Sequence, residues 1–132
     1  MAHLRLEYNA ALERTLDMAQ LVEQLRRAMV EAKIFPVPGI RVRAYRSEHV
    51  GLADGDPANA MLAMQLYMGA GRTLEQKQTA GQAIHDAALA MTGSLMASGH
   101  LMLSLDIFEN DPQLSWKSNS VHARLKKSKK EG

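Results

Sequence analysis

The feature that most restricts how this chain can fold is an internal repeat. Arg14-Thr15-Leu16 recurs as Arg72-Thr73-Leu74, an offset of 58 residues, and the same offset carries His3–Tyr8 onto Met61–Leu66. His3–Tyr8 alternates Leu4, Leu6 and Tyr8 with His3, Arg5 and Glu7, the pattern of a strand with one buried face. Ala60–Tyr67 is an apolar run of strand length. A helical stripe follows each strand. Met18, Leu21, Val22, Leu25, Ala28, Met29 and Ala32 form the first, and Ala80, Ala83, Ile84, Ala87, Ala88, Met91 and Leu95 the second. A further strand pattern then closes each half, at Ile40–Tyr45 and at Leu101–Phe108. The chain therefore reads as two β-α-β units, at about 2–48 and 59–109, with parallel strands and right-handed crossovers. Two such units pair into one four-stranded sheet with both helices on one face, an α+β fold. The other face is expected to be bare and fairly apolar, so self-association is expected to bury it.

The connections carry their own signals. Gly69-Ala70-Gly71 lets the backbone turn sharply after the third strand. Thr73 and Gln76 match a capping box that starts the second helix. Arg72 thus stands where a strand has ended and a helix begins, and it offers a fixed fork of donors to a carboxylate or phosphate. Ala10–Thr15 reads as a connector. Pro36 and Pro38 make Ile34–Gly39 a stiff, extended link. Asp54-Gly55 marks a turn, Asn110-Asp111-Pro112 ends the fourth strand, and Trp116–Leu125 is a short mixed ending.

At 132 residues the chain is expected to be a single domain, 1–125, followed by a basic, disordered tail at 126–132 that contains Lys126-Lys127-Ser128-Lys129-Lys130. Without that tail the body is near neutral and shows no basic face interleaved with aromatics, so no nucleic-acid partner is expected. No apolar run spans a bilayer and no signal peptide is evident, which points to a cytoplasmic protein without a membrane partner. The absence of cysteine excludes disulfides, thiolate catalysis and Cys-based metal sites. His3, His49, His85, His100 and His122 lack metal-ligand spacing, and no metal is expected. The remaining chemistry lies with arginine and the chain terminus. Arg41 and Arg43 point to the same face of the second strand, and Arg72 lies at its loop.

Several short motifs, taken in order, are jointly specific. They are Ile34-Phe35-Pro36, Gly39-Ile40-Arg41-x-Arg43, Ala53-Asp54-Gly55, Gly69-Ala70-Gly71-Arg72-x-Leu74-Glu75, Leu103-Ser104 and Asn119-x-Val121-His122-Ala123. Over nearly its whole length the sequence resembles the 5-carboxymethyl-2-hydroxymuconate isomerase family of the tautomerase superfamily. That resemblance implies a trimer of double β-α-β subunits. It also implies a cofactor-free isomerase that tautomerises a small polycarboxylate enol in the bacterial breakdown of homoprotocatechuate. The family's base is an amino-terminal proline exposed by removal of the initiator Met. Position 2 is Ala here, so the implied base is the Ala2 amine once Met1 is gone. By motif match Arg41 and Arg72 become catalytic and carboxylate-binding residues, with Arg43 as a further substrate-binding candidate. Because Ala2 replaces the proline, the alternative is a catalytically impaired binding protein on the same fold.

Overall fold

A computed structural model describes the backbone of residues 1–131 and the side chains as far as Ser128. Its elements are strand β1 (Ala2–Tyr8), helices α1 (Ala10–Glu13) and α2 (Met18–Glu31), strands β2 (Ile40–Arg46) and β3 (Ala60–Gly69), helices α3 (Leu74–Met91) and α4 (Gly93–Ala97), strand β4 (Leu101–Asn110) and helix α5 (Ser120–Glu131). The sheet order is β2-β1-β3-β4. β1 is parallel to β2 and β3 is parallel to β4, as expected, while β1 and β3 run antiparallel.

Alternation along the strands builds the core. Leu4 faces Leu66 and Leu6 faces Met64 across the β1–β3 ladder, and all four are fully buried. Leu62 and Met68 extend this layer, which Leu21, Leu25 and Met29 of α2 cover together with Ala80, Ile84 and Ala88 of α3. Each buried Leu or Met contributes roughly 1.5–3 kcal/mol of transfer free energy. One continuous core thus places both helices on one face of the sheet. Asp17 caps α2 by accepting from the amides of Ala19 and Gln20. The capping box at Thr73 and Gln76 is present on α3.

Four expectations change. Ala10–Glu13 is a short helix rather than a plain connector, because Ala11 and Leu12 bury against the core. The α3 stripe stops at Met91, before Leu95. Thr92 leaves helical geometry at φ −118°, its hydroxyl donates to the Ala88 carbonyl, and Gly93 opens the separate helix α4. The bare face is mixed rather than apolar. Alternation brings His3, Arg5, Glu7, Arg41, Arg43 and Tyr45 there on β1 and β2, whereas Met61, Ala63 and Tyr67 of β3 with Met102 and Phe108 of β4 keep the other half largely apolar. The ending is also ordered further than expected. Residues 120–131 are helical, so the segment expected as a disordered tail continues α5 through Glu131. Asn119 starts that helix by accepting from the amides of Val121 and His122, and no Gly or Pro interrupts it. The last residue of that tail, Gly132, lies outside the described residues.

Asn9 locks the junction of the two units. It is buried, its Nδ2 donates to the Asn59 carbonyl at 2.9 Å, and its Oδ1 accepts from the Met61 amide at 3.0 Å. Asn9→Ala leaves both backbone groups without that partner. It is expected to lower the unfolding free energy by about 1–3 kcal/mol in urea titrations.

Candidate active site

The amino terminus enters the sheet at one end. The β1–β2 ladder begins with Ala2 opposite Ile40, which sets Met1 alongside Gly39. A Cβ built on Gly39 would lie 3.1 Å from the Met1 Cα, so a side chain at that position would crowd the terminus. The stiff link before β2 shapes this wall. Pro36 precedes a short turn in which the Gly39 amide donates to the Pro36 carbonyl.

The antiparallel ladder supplies the second wall. With His3 opposite Tyr67, the end of β3 comes level with the start of β1. The chain then turns through Gly71, whose φ of +113° favours glycine, and delivers Arg72. Arg72 Nε donates to the Ile34 carbonyl and its Nη1 to the Gly69 carbonyl, both at 3.3 Å. Its guanidinium lies 5.1 Å from the centre of the buried Phe35 ring. These contacts use two of its five N–H donors and hold the remainder in place.

The C-terminal segment closes the cleft. Asn119 Nδ2 donates to the Pro38 carbonyl at 2.8 Å while its Oδ1 caps α5. Met1, Pro36, Gly39, Lys117, Asn119 and His122 line a space of about 330 Å³. The Lys117 ammonium lies 4.0 Å from where a Gly69 Cβ would be. Trp116, one residue earlier, is 86% exposed and does not line the cleft.

The electrostatics are one-sided. Burial holds the Met1 amine below its ordinary value of 8.0, and the positive charges of Lys117, Arg72 and Arg41 lower it further. Among the described residues no carboxylate forms an ion pair with any of those three cations. His3 sits between two guanidiniums. Arg41 Nη1 approaches its Nε2 at 2.7 Å, and Arg43 Nη1 approaches its Nδ1 at 3.0 Å. Burial, then Arg41 and Arg43, hold the imidazole below its ordinary 6.5 and favour the neutral ring. A neutral ring has a single acceptor nitrogen, so it satisfies only one of those guanidiniums at a time.

The sequence-derived candidates therefore separate. Arg41 and Arg72 both act on the terminal amine. Arg43 instead contacts His3 and the Tyr45 hydroxyl. Ala2 is 1% exposed behind Met1. Lys117 was not singled out from sequence, and only the Asn119 cap beside it offers a local signal. Among the described residues no group of three His, Cys, Asp or Glu side chains is placed to hold a metal.

Residues 2–125 match the family model described as 5-carboxymethyl-2-hydroxymuconate isomerase. The chain is 34% identical over 126 residues to the Escherichia coli 5-carboxymethyl-2-hydroxymuconate Delta-isomerase, covering 96% of this chain and all of that one. It superimposes on the crystal structure of a 5-carboxymethyl-2-hydroxymuconate isomerase from Deinococcus radiodurans R1 with a TM-score of 0.87 at 36% identity, covering 94% of this chain and 93% of that one. The fold extends to a fused 4-OT solved as a symmetric trimer, with a TM-score of 0.63 at 13% identity, covering 88% of this chain and 93% of that one.

The His3 environment has a consequence for stability. Because the folded imidazole titrates below 6.5, the unfolded chain binds more protons there as pH falls. The contribution of His3 is present above pH 6.5 and is lost on acidification toward its depressed folded value. His3→Gln is expected to show a smaller loss of unfolding free energy between pH 7.5 and pH 5 than the parent chain, measured by urea unfolding at both values.

Proposed function

We propose, for a chain that belongs to the 5-carboxymethyl-2-hydroxymuconate isomerase family and to the isomerases of the tautomerase superfamily, that it tautomerises 5-carboxymethyl-2-hydroxymuconate or a similar polycarboxylate without a cofactor. The observation that carries this reading is that the Met1 amine, one residue before the Ala2 nitrogen, is held partly buried beside three cations that lack carboxylate partners. A depressed amine is neutral, and therefore basic in function, at a pH where an ordinary one is still charged. The amine takes the proton of the enol hydroxyl. Charge then spreads over the conjugated chain as a dienolate, which the guanidiniums stabilise, and the ammonium returns the proton to carbon.

In this reading the working amine belongs to Ala2 after Met1 is removed. Loss of Met1 also vacates the place beside Gly39 that its side chain fills. Ala2 lacks the ring that fixes a proline nitrogen. Its place in the β1–β2 ladder, opposite Ile40, is what restrains it instead. Arg72, braced by two carbonyls and Phe35, and Arg41, braced by His3, are the carboxylate clamps. Arg43 acts through His3 rather than on the substrate. A homotrimer is supported by the symmetric trimer seen for a fused 4-OT and by the exposed Met102 and Phe108 on the bare face. The chemistry fits a cytoplasmic step in homoprotocatechuate breakdown.

Ultraviolet absorbance of a 2-hydroxymuconate-type substrate tests the reading. The chain, shown by intact mass to lack Met1, is expected to accelerate loss of the enol. The absence of acceleration overturns it and leaves a polycarboxylate-binding protein on this fold. Arg72→Ala should lower kcat/KM by about 10²–10³-fold, the range for one lost transition-state donor. Ala2→Pro should raise kcat. The rate should climb with pH and then level off as the Ala2 amine becomes neutral, because the neutral amine is the active form.

A further inference from the structure

Lys117, Arg41 and Arg72 all act on the terminal amine, and of the three it is Lys117 that lines the cleft itself. We propose that Lys117 is a specificity-determining residue that binds a third carboxylate of the substrate, so that the cleft prefers a tricarboxylate over a dicarboxylate of the same conjugated core. This rests on the isomerase reading above, whose substrate already carries three carboxylates, and adds to it the residue that holds the third.

Three observations support it. First, Lys117 lines the cleft directly, together with Met1, Pro36, Gly39, Asn119 and His122. Its ammonium reaches the Gly69 end of β3, next to the turn that delivers Arg72. Second, among the described residues neither an ion pair nor a hydrogen bond to a carboxylate neutralises Lys117, although Lys77, Arg46 and Arg26 elsewhere on the molecule all find one. Clustering Lys117 with Arg41, Arg72 and the terminal amine is repulsive, and an anion in the cleft is what offsets that repulsion. Third, its backbone is placed by a dedicated contact. Asn119 both donates to the Pro38 carbonyl and caps α5, so the segment from Lys117 to His122 is held against the wall formed by Pro36–Gly39.

The cations differ in form as well as position. Arg72 and Arg41 present planar forks suited to bidentate grip on a carboxylate and to delocalised charge along the reacting chain. Lys117 presents a point charge on a flexible stem and arrives from a different element. It therefore suits a carboxylate carried on a branch of the substrate rather than on its conjugated backbone.

The test compares 5-carboxymethyl-2-hydroxymuconate with 2-hydroxymuconate, which lacks the carboxymethyl branch. Lys117→Gln should reduce the preference for the tricarboxylate about tenfold, mainly through KM, as expected for loss of roughly 1.4 kcal/mol of binding. Lys117→Arg should restore most of it. Lys117 also depresses the terminal amine, but that effect is common to both substrates and cancels in the ratio. An equal loss on both substrates, or an unchanged ratio, overturns the proposal while leaving the isomerase reading intact. If the parent chain accelerates neither substrate, the isomerase reading fails. Calorimetric binding of propane-1,2,3-tricarboxylate against pentanedioate then decides the role of Lys117. A parent preference for the tricarboxylate that Lys117→Gln abolishes supports it, and equal binding of the two overturns it.

Discussion

The antiparallel ladder between β1 and β3 is the constraint on which the rest depends. Each β-α-β unit pairs its own two strands in parallel, so the first unit alone sets Met1 against Gly39 but not beside the loop that carries Arg72. Only when His3 pairs with Tyr67 and Leu4 with Leu66 does the chain terminus come level with Gly69 and Arg72. The same pairing carries the core, since the residues in register on the inner face are the fully buried Leu and Met side chains. A slip of one residue would turn Leu4 and Leu6 outward and destroy the core and the site together. Stability of the fold and geometry of the cleft are therefore specified by one set of contacts.

Antiparallel pairing also sends the two copies of the repeated motif to opposite ends of the sheet. Arg72 follows β3 at the terminal end. Arg14 follows α1 beside the other end, where Asn9 and Asn59 join the units. The repeat supplies two like motifs, the first after α1 and the second at the start of α3, but only the second meets the amino terminus. The asymmetry of placement comes from topology and not from any difference between the two Arg-Thr-Leu sequences.

Concentrating positive charge at one place requires support for each cation. Arg72 rests on two carbonyls and an aromatic face, and Arg41 on an imidazole that its own neighbours keep neutral. These contacts fix direction without cancelling charge, since none involves a carboxylate. The field they create lowers the proton affinity of the amine while leaving guanidinium donors available. Burial does the larger part of that lowering, and the short link Pro36–Gly39 and the Asn119 latch provide the burial.

By itself, the sequence determined the elements and their faces. Alternation in His3–Tyr8 and Ile40–Tyr45, the helical stripes, and the Thr73–Gln76 box all act over a few residues, and each appears in the structure where its pattern placed it, save that the second stripe breaks at Thr92 before Leu95. The 58-residue repeat also determined that two like units form one sheet, and the ordered motifs carried the family. The signal at Asn119 is of the same local kind, and it makes the ending a helix. What only the tertiary structure decided is proximity between residues far apart in the chain. Lys117 reaches the cleft because one side-chain amide bonds the Pro38 carbonyl. Arg43, which the register sets opposite Arg5, turns its guanidinium to His3 and to Tyr45 on its own strand. No local pattern encodes such placements, since they follow from strand register and from single long-range hydrogen bonds that exist only once the core has formed.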